Sequence, residues 1–232
     1  MIFDMPVDRF FYDGPLEQSA SISLEGPEHH HIKVMRIGIG EEIELVNGQG
    51  VLAKATLSRI DRHIAFLKIH QLHRADRPTP RIALGIPLLR PNKLELIFEK
   101  GTELGADSFL LYPAERSEKI HLSDNALIRL RAITSSALKQ SGRLYSPTIE
   151  VLAHFKELFQ RDAMPLFGDT NPEAPWISPA KENTLFISGP ESGFSPNEEQ
   201  LLAHAKGIKL SKNILRAETA PIAALTVLIL SC

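Results

Sequence analysis

Two polar stretches in the last quarter of the chain carry the residues best suited to chemistry. The first, Ser188-Gly-Pro-Glu-Ser-Gly-Phe194, follows a short apolar run and precedes a capped helix start. The second, Leu210-Ser-Lys-Asn-Ile-Leu-Arg-Ala-Glu-Thr-Ala220, also leads from an apolar strand into an apolar helix. Open α/β sheets bind ligands at such junctions, because the first amides of a helix lack intrahelical partners and face the crevice. The two loops together predict a pocket for a small nucleotide-like cofactor. Arg216 and Glu218 stand beside a near-continuous apolar helix, where charges are costly unless paired or used. A plain Arg216–Glu218 pair meets that condition as well as a functional one does. Taken alone, Gly189-Pro-Glu-Ser-Gly193 also reads as an ordinary Gly-Pro turn.

Other motifs have the letters of chemistry without the setting. Gly48-Gln-Gly-Val-Leu-Ala53 imitates a dinucleotide fingerprint, but the following segment alternates like a strand where a helix is required. His29-His30-His31 are adjacent, so their side chains diverge and do not converge on one metal. The single cysteine, Cys232, excludes a disulfide framework and a cysteine-ligated metal, and fits a reducing, cytoplasmic setting. No metal is expected. Residues 1–14, with Asp4, Asp8 and Asp13, lack a signal pattern, and the apolar run 221–230 is about half of what a membrane span needs. A net charge of −2 gives no global attraction to nucleic acid. Locally, residues 54–93 hold nine basic residues against Asp61 and Asp76, and Arg129, Arg131, Lys139 and Arg143 occupy 125–149 with no acid. Either block reads as a basic face or as ordinary solvated surface.

The elements that must position these residues fall into two textures. In the N-terminal third, Glu42-Ile-Glu-Leu-Val46 alternates, Asn47-Gly48 is a hairpin turn, and residues 51–58 and 64–69 give further strands. Several short strands in this span predict a small barrel or sandwich. Arg74-Ala-Asp-Arg-Pro-Thr-Pro80 interrupts the pattern, which divides the chain into domains 1–73 and 74–232. Beyond it, strands alternate with helices. Strands are expected at 81–89, 109–112, 164–167, 184–188 and 207–210. Helices are expected at 93–104, with Leu94, Ile97, Phe98 and Gly101 on one stripe, and at 125–142, where Ser136, Gln140 and Arg143 share a face. Ser195-Pro-Asn-Glu198 is a capping box that starts a helix at Pro196. The alternation predicts an α/β class with a mostly parallel sheet, and 43% hydrophobic residues suffice for its core.

Phe186-Ile-Ser-Gly-Pro-Glu-Ser-Gly-Phe-Ser195 followed by Ile214-Leu-Arg-Ala-Glu-Thr-Ala220 resembles the ribosomal small-subunit RNA uridine-N3 methyltransferases, the RsmE-type members of the SPOUT superfamily. Arg9-Phe10-Phe11, residues 31–36, Lys100-Gly-Thr-Glu-Leu-Gly105, Glu115-Arg-Ser117 and Gln140-Ser-Gly-Arg143 resemble that family's motifs in the same order, so the likeness runs from about residue 9 to about 226. The resemblance implies a PUA-like β-barrel that helps bind RNA, followed by an α/β domain threaded into a deep trefoil knot. It implies S-adenosylmethionine as cofactor, a homodimer with the active site near its interface, and 16S rRNA, in the assembled small subunit, as partner. Carried over by motif, the cofactor-binding residues are Leu166, Phe167, Gly168, Ile187, Ser188, Gly189, Pro190, Gly193, Leu210, Ser211, Ile214, Leu215, Arg216 and Ala220. RNA-orienting residues are Arg9, Arg36, Arg116, Gln140 and Arg143.

The chain departs from the family at Ser192, where glycine is usual and a positive φ would strain serine by about 1–2 kcal/mol. It departs again at Gly168-Asp169, where the family's acid follows the strand directly. Uridine-N3 methylation requires a group that accepts the imide proton and a cation that stabilises charge on the ring carbonyls. Arg216 suits the second task. Glu191 and Glu218 both suit the first, or complement a sulfonium. Ribose 2′-O methylation, non-catalytic RNA binding in ribosome assembly, and a metabolic nucleotide-binding enzyme are the competing readings.

Overall fold

Alternation along the N-terminal strands and prolines at the first turns of three helices set the local structure. The computed structural model describes residues 8–117 and 121–231, so Asp4 and Cys232 lie outside the described residues. The chain divides into two units, residues up to Arg77 with Leu138–Ser146, and Pro78–Ala137 with the chain from Pro147 onward.

The first unit contains β1 (Arg9–Phe11), β2 (Ser21–Glu25), α1 (Gly26–Met35), β3 (Glu42–Val46), β4 (Val51–Ile60) and β5 (Ile64–Arg74). They form one sheet in the order β1-β3-β4-β5-β2, in which β1 pairs parallel with β3 and the remaining pairs are antiparallel. The turn Asn47-Gly48 joins β3 to β4, and Asn47 Oδ1 accepts the Gln49 amide at 2.9 Å. Residues 48–53 run into a strand and not a helix. The edge strands contribute Phe10, Ile22 and Leu24 to the same buried cluster as Ile43, Leu45, Leu57 and Leu67 from the centre. The sheet therefore curls around a single core. Helix α1 departs from the all-strand expectation for this region. Only His29 and Ile32 are buried on it, so it carries no apolar stripe to be read. Pro27 opens it and Arg36 ends it at φ 58°. His29 Nε2 lies 3.1 Å from the Asp61 carbonyl, and the His31 ring packs 4.9 Å from that of Phe10.

The second unit contains β6 (Ile82–Pro87), α2 (Pro91–Leu104), β7 (Ser108–Tyr112), α3 (Asp124–Ser141, whose last turn belongs with the first unit), β8 (Thr148–Val151), a 3₁₀ segment (Phe155–Gln160), β9 (Met164–Gly168), β10 (Thr184–Ile187), α4 (Pro196–Leu202), β11 (Lys206–Ile208) and α5 (Thr219–Leu228). Its sheet has the order β11-β9-β10-β6-β7-β8 and every pairing is parallel. Both faces are covered. On β10, Phe186 joins the core on one face, while Leu185 and Ile187 join the core on the other. The expected stripe of α2 is buried at Leu94, Ile97, Phe98 and Gly101. In a parallel sheet all strand C-termini share one edge, so the segments after β9, β10 and β11 emerge side by side there.

One spacing argument does not survive. Helix α3 stops at Ser141, and Gly142 turns the chain at φ 79°. Arg143 therefore lies beyond the helix, its amide bonded to the Leu138 carbonyl at 3.2 Å, and does not extend the face of Ser136 and Gln140.

Candidate functional site

The loop after β10 is fixed at every turn. The Tyr112 hydroxyl donates to the Ser188 carbonyl at 2.6 Å. Burial, with the nearby Glu198 charge adding to it, pushes the Tyr112 hydroxyl pKa up, so it remains a donor. Ser188 Oγ donates to the Ala217 carbonyl at 3.3 Å, which ties this loop to the end of the next one. The Gly193 amide donates to the Pro190 carbonyl at 3.0 Å, with Gly193 at φ 73°. At the start of α4 the Ser195 hydroxyl accepts from the Glu198 amide at 3.1 Å, and Glu198 Oε2 accepts from the Ser195 amide at 2.8 Å. Glu198 is 1% exposed, and its other oxygen accepts from the Glu115 amide at 3.0 Å. One buried carboxylate thus holds the loop, the helix start and the segment after β7. The strain considered for Ser192 does not arise, because among the described residues only Ser19 and Arg36 have positive φ outside glycine. Ser192 Oγ instead donates to the Arg116 carbonyl at 2.7 Å.

The loop after β11 is tied mainly at its two ends. Lys209 exchanges backbone bonds with Pro175 and Ile177 at 2.8 and 3.0 Å, and its ammonium lies 5.3 Å from the Trp176 ring centre. The Ser211 hydroxyl accepts from the Asn213 amide at 3.0 Å. The amides of Thr219 and Ala220, opening α5, donate to the Arg216 carbonyl at 2.9 and 3.0 Å. Between these points Ile214 is 88% exposed and the Arg216 side chain 83% exposed.

Both loops line one cavity of about 1100 Å³. Of the residues singled out in the sequence, Phe167, Gly168, Ser188, Gly189, Pro190, Glu191, Gly193, Ile214, Leu215, Arg216 and Ala220 are on its wall. Leu166 and Leu210 pack against the core beneath it, Ile187 is fully buried, and Ser211 caps its own loop. Arg116 is exposed on the segment after β7, while Arg36 and Gln140 are exposed in the first unit. The Arg9 guanidinium is taken up by Glu44, with donors at 3.0 and 2.6 Å.

Lys93, on α2, organises the charges at the wall. Its ammonium bonds Glu191 from the first loop and stands 3.1 Å from Glu218 at the end of the second. The Arg216–Glu218 separation is 4.0 Å, so Lys93 and not Arg216 is the principal partner of Glu218. Glu218 Oε2 is buried, and the Lys93 ammonium is the cation that balances it. The hydrogen bond from Lys93 holds the Glu191 carboxyl below its ordinary range, and the charges of Arg90 and Arg216 add to the effect. Lys93 is itself shifted upward by Glu191 first and Glu218 second. In the sequence Lys93 is one member of a basic block. Its i, i+1 position beside the buried Leu94 marks the edge of the stripe, but only the tertiary structure brings the two carboxylates to it. Asp169 also lines the cavity.

Among the described residues no group of three or more His, Cys, Asp or Glu could hold a metal, and no helix is long and apolar enough to cross a membrane.

The RNA methyltransferase domain family matches residues 76–229, and the RNA methyltransferase PUA domain family matches residues 24–69. Ribosomal RNA small subunit methyltransferase E of Bacillus subtilis is 30% identical over 234 residues, 91% of this chain and 90% of that protein. The protein of the same name from Mycobacterium bovis is 29% identical over 241 residues, 94% of this chain and 90% of the relative. The solved structure of ribosomal RNA small subunit methyltransferase E from Neisseria gonorrhoeae, bound to S-adenosyl methionine, aligns with a TM-score of 0.83 at 28% identity, covering 96% of this chain and 95% of that one.

Proposed function

The chain belongs to the RNA methyltransferase family, and from that membership we propose that it transfers the methyl group of S-adenosylmethionine to N3 of a uridine in 16S rRNA of the small ribosomal subunit. The observation that carries this reading is the convergence of the two loops, after β10 and after β11, on one cavity with Glu191 at its wall and Lys93 bridging it to Glu218 behind.

The residues present fit that cofactor. The cavity is large enough for a nucleoside-sized ligand. Phe167, Leu215 and Ala220 supply apolar wall and the Gly189 region supplies backbone. Glu191 on the wall, with Glu218 paired to Lys93 behind it, supplies negative charge suited to a cationic ligand. Bound there, S-adenosylmethionine would supply an electrophilic methyl carbon on a sulfonium, with a neutral thioether as leaving group.

Glu191 lines the cavity, whereas Glu218 sits behind it against Lys93, which favours Glu191 as the acceptor of the imide proton. Lys93 keeps Glu191 ionised and fixed; Glu218 holds Lys93 in place. Arg216 is cationic, exposed and on the same wall, and stabilises the charge that develops on the ring carbonyls as the proton leaves. The target base must be unstacked to reach this wall. Arg116, Arg36, Gln140 and Arg143, together with the PUA unit, are assigned to RNA contacts, whereas Arg9 serves the RNA only indirectly, through the Glu44 pair.

The finer architecture belongs to the same proposal: a PUA-like unit over 1–73, a methyltransferase unit over 74–232, a deep trefoil knot at its end, and a homodimer with the site near its interface. The knot is supported by the return of the chain from edge strand β11 to pack α5 against α2 and β6. Exposed Ile214 and Leu230 favour a partner surface.

Labelled-methyl transfer to unmodified small subunits and to naked rRNA, followed by nucleoside identification, tests the function. N3-methyluridine is the expected product. A ribose-methylated nucleoside would replace this reading with 2′-O methylation. RNA binding without transfer or cofactor binding would leave an assembly factor.

A further inference from the structure

Resting on the methyltransferase reading above, we propose that the smaller cavity of about 330 Å³ beside the main one is the acceptor-base subsite, and that it selects a uracil-type imide through a carboxylate flanked by donors. Pro190 and Glu191 line both cavities, so a base seated in the smaller one meets the cofactor pocket across the Glu191 wall. Leu88 and Leu89, both buried in the core, give the smaller cavity an apolar face suited to a planar ring. The polar groups around it are Arg90, Arg116, Ser117, Ser192 and Glu191.

One of them points to a ligand. Ser117 Oγ is buried and has no hydrogen-bond partner among the described residues, a costly state for a hydroxyl that a bound acceptor relieves. Its segment is not loose: the Glu115 amide is held by Glu198, and the Arg116 carbonyl by Ser192.

The chemistry of the wall specifies the base. The Watson–Crick edge of uracil presents acceptor, donor and acceptor at O2, N3–H and O4. Glu191, ionised against Lys93, can only accept, while Arg90, Arg116 and the Ser117 hydroxyl donate. Cytosine would set the N3 lone pair against the Glu191 carboxylate and its amino group among the cations. A site built on complementary hydrogen bonds rejects such a mismatch strongly.

The test uses the full-length protein and unmodified small subunits in labelled-methyl transfer, with S-adenosylmethionine affinity followed by calorimetry. Ser192→Phe fills the smaller cavity, and Arg90→Gln removes a cation from it. Expected is a cofactor Kd within about threefold of wild type for both, with transfer slowed at least about 100-fold by Ser192→Phe and about 10-fold by Arg90→Gln. Subunits carrying cytidine at the mapped position should react at least about 100-fold more slowly than those carrying uridine. Wild-type transfer rates in both variants, or comparable use of cytidine, overturn the subsite while the methyltransferase reading stands. If Ser192→Phe loses cofactor binding through misfolding, Arg90→Gln and the cytidine substrate decide. Absence of transfer by the wild-type protein overturns the underlying reading, and the subsite with it.

Discussion

The two loops that meet at the cavity are built on opposite plans. The one after β10 is bonded to Tyr112, Glu198, Arg116 and the neighbouring loop, and its single left-handed residue is a glycine. The one after β11 is secured at Lys209 and again at Arg216–Ala220, and between them exposes Ile214 and the Arg216 guanidinium. Under the proposed assignment, rigidity therefore sits with Glu191, whose position as proton acceptor must be set before substrate arrives. Under the same assignment, freedom sits with the exposed Arg216 guanidinium, the cation that would meet a large RNA from solvent. Preorganised acceptors cost no rearrangement at the moment of reaction, while a loop that moves can sequester the reacting atoms.

Four changes break or sharpen that contrast. Arg216→Ala, in the open loop, should slow methyl transfer by about 100-fold or more while cofactor affinity changes by less than about threefold. Equal losses in both, measured by single-turnover transfer and calorimetry, would assign Arg216 to cofactor positioning. Glu198→Ala, in the anchored loop, deprives the Ser195 and Glu115 amides of their acceptor and should cost about 3 kcal/mol in urea unfolding. It should also weaken cofactor binding, which the Arg216 change does not.

Lys93→Met probes the bridge between the loops. Glu191 is held below its ordinary 4.5, so the stability it contributes is present above that value and is lost as pH falls through its lowered folded value. Lys93 is raised above 10.5, so its share is present below that value and is lost as pH rises through the raised one. Removing the ammonium lets the Glu191 carboxyl return toward its ordinary value. The acid limb of the transfer rate should then move to higher pH, and an unmoved limb would detach Glu191 from proton acceptance. The smallest effect belongs to Tyr112→Phe, which removes the bond to the Ser188 carbonyl and should cost about 1 kcal/mol in thermal or urea unfolding.

Much of this was readable from residue order. The stripe Leu94, Ile97, Phe98 and Gly101, the capping box at Ser195 and Glu198, and the apolar runs that became β7 and β10 are local signals, and the structure carries each of them. Likewise Gly189 and Leu215 line one cavity, as loops after neighbouring parallel strands should. What could not be read depends on distant partners. Helix α1 buries only His29 and Ile32, too little to imprint a period. The parallel pairing of β1 with β3, the position of β10 between β9 and β6, and the grouping of Leu138–Ser146 with the first unit are tertiary facts. So is Lys93, whose two carboxylates, Glu191 and Glu218, come from loops far along the chain. Arg143 shows the converse error: a helical spacing was extended through Gly142, where the backbone turns left-handed.

The tryptophan beside Lys209 is the chain's only one. It is half exposed, and the backbone bridge to Lys209 fastens it to the root of the open loop. Its emission is therefore a built-in optical gauge of that segment. Ligand-induced ordering should register as a spectral shift, so occupancy can be followed in real time without attaching a dye.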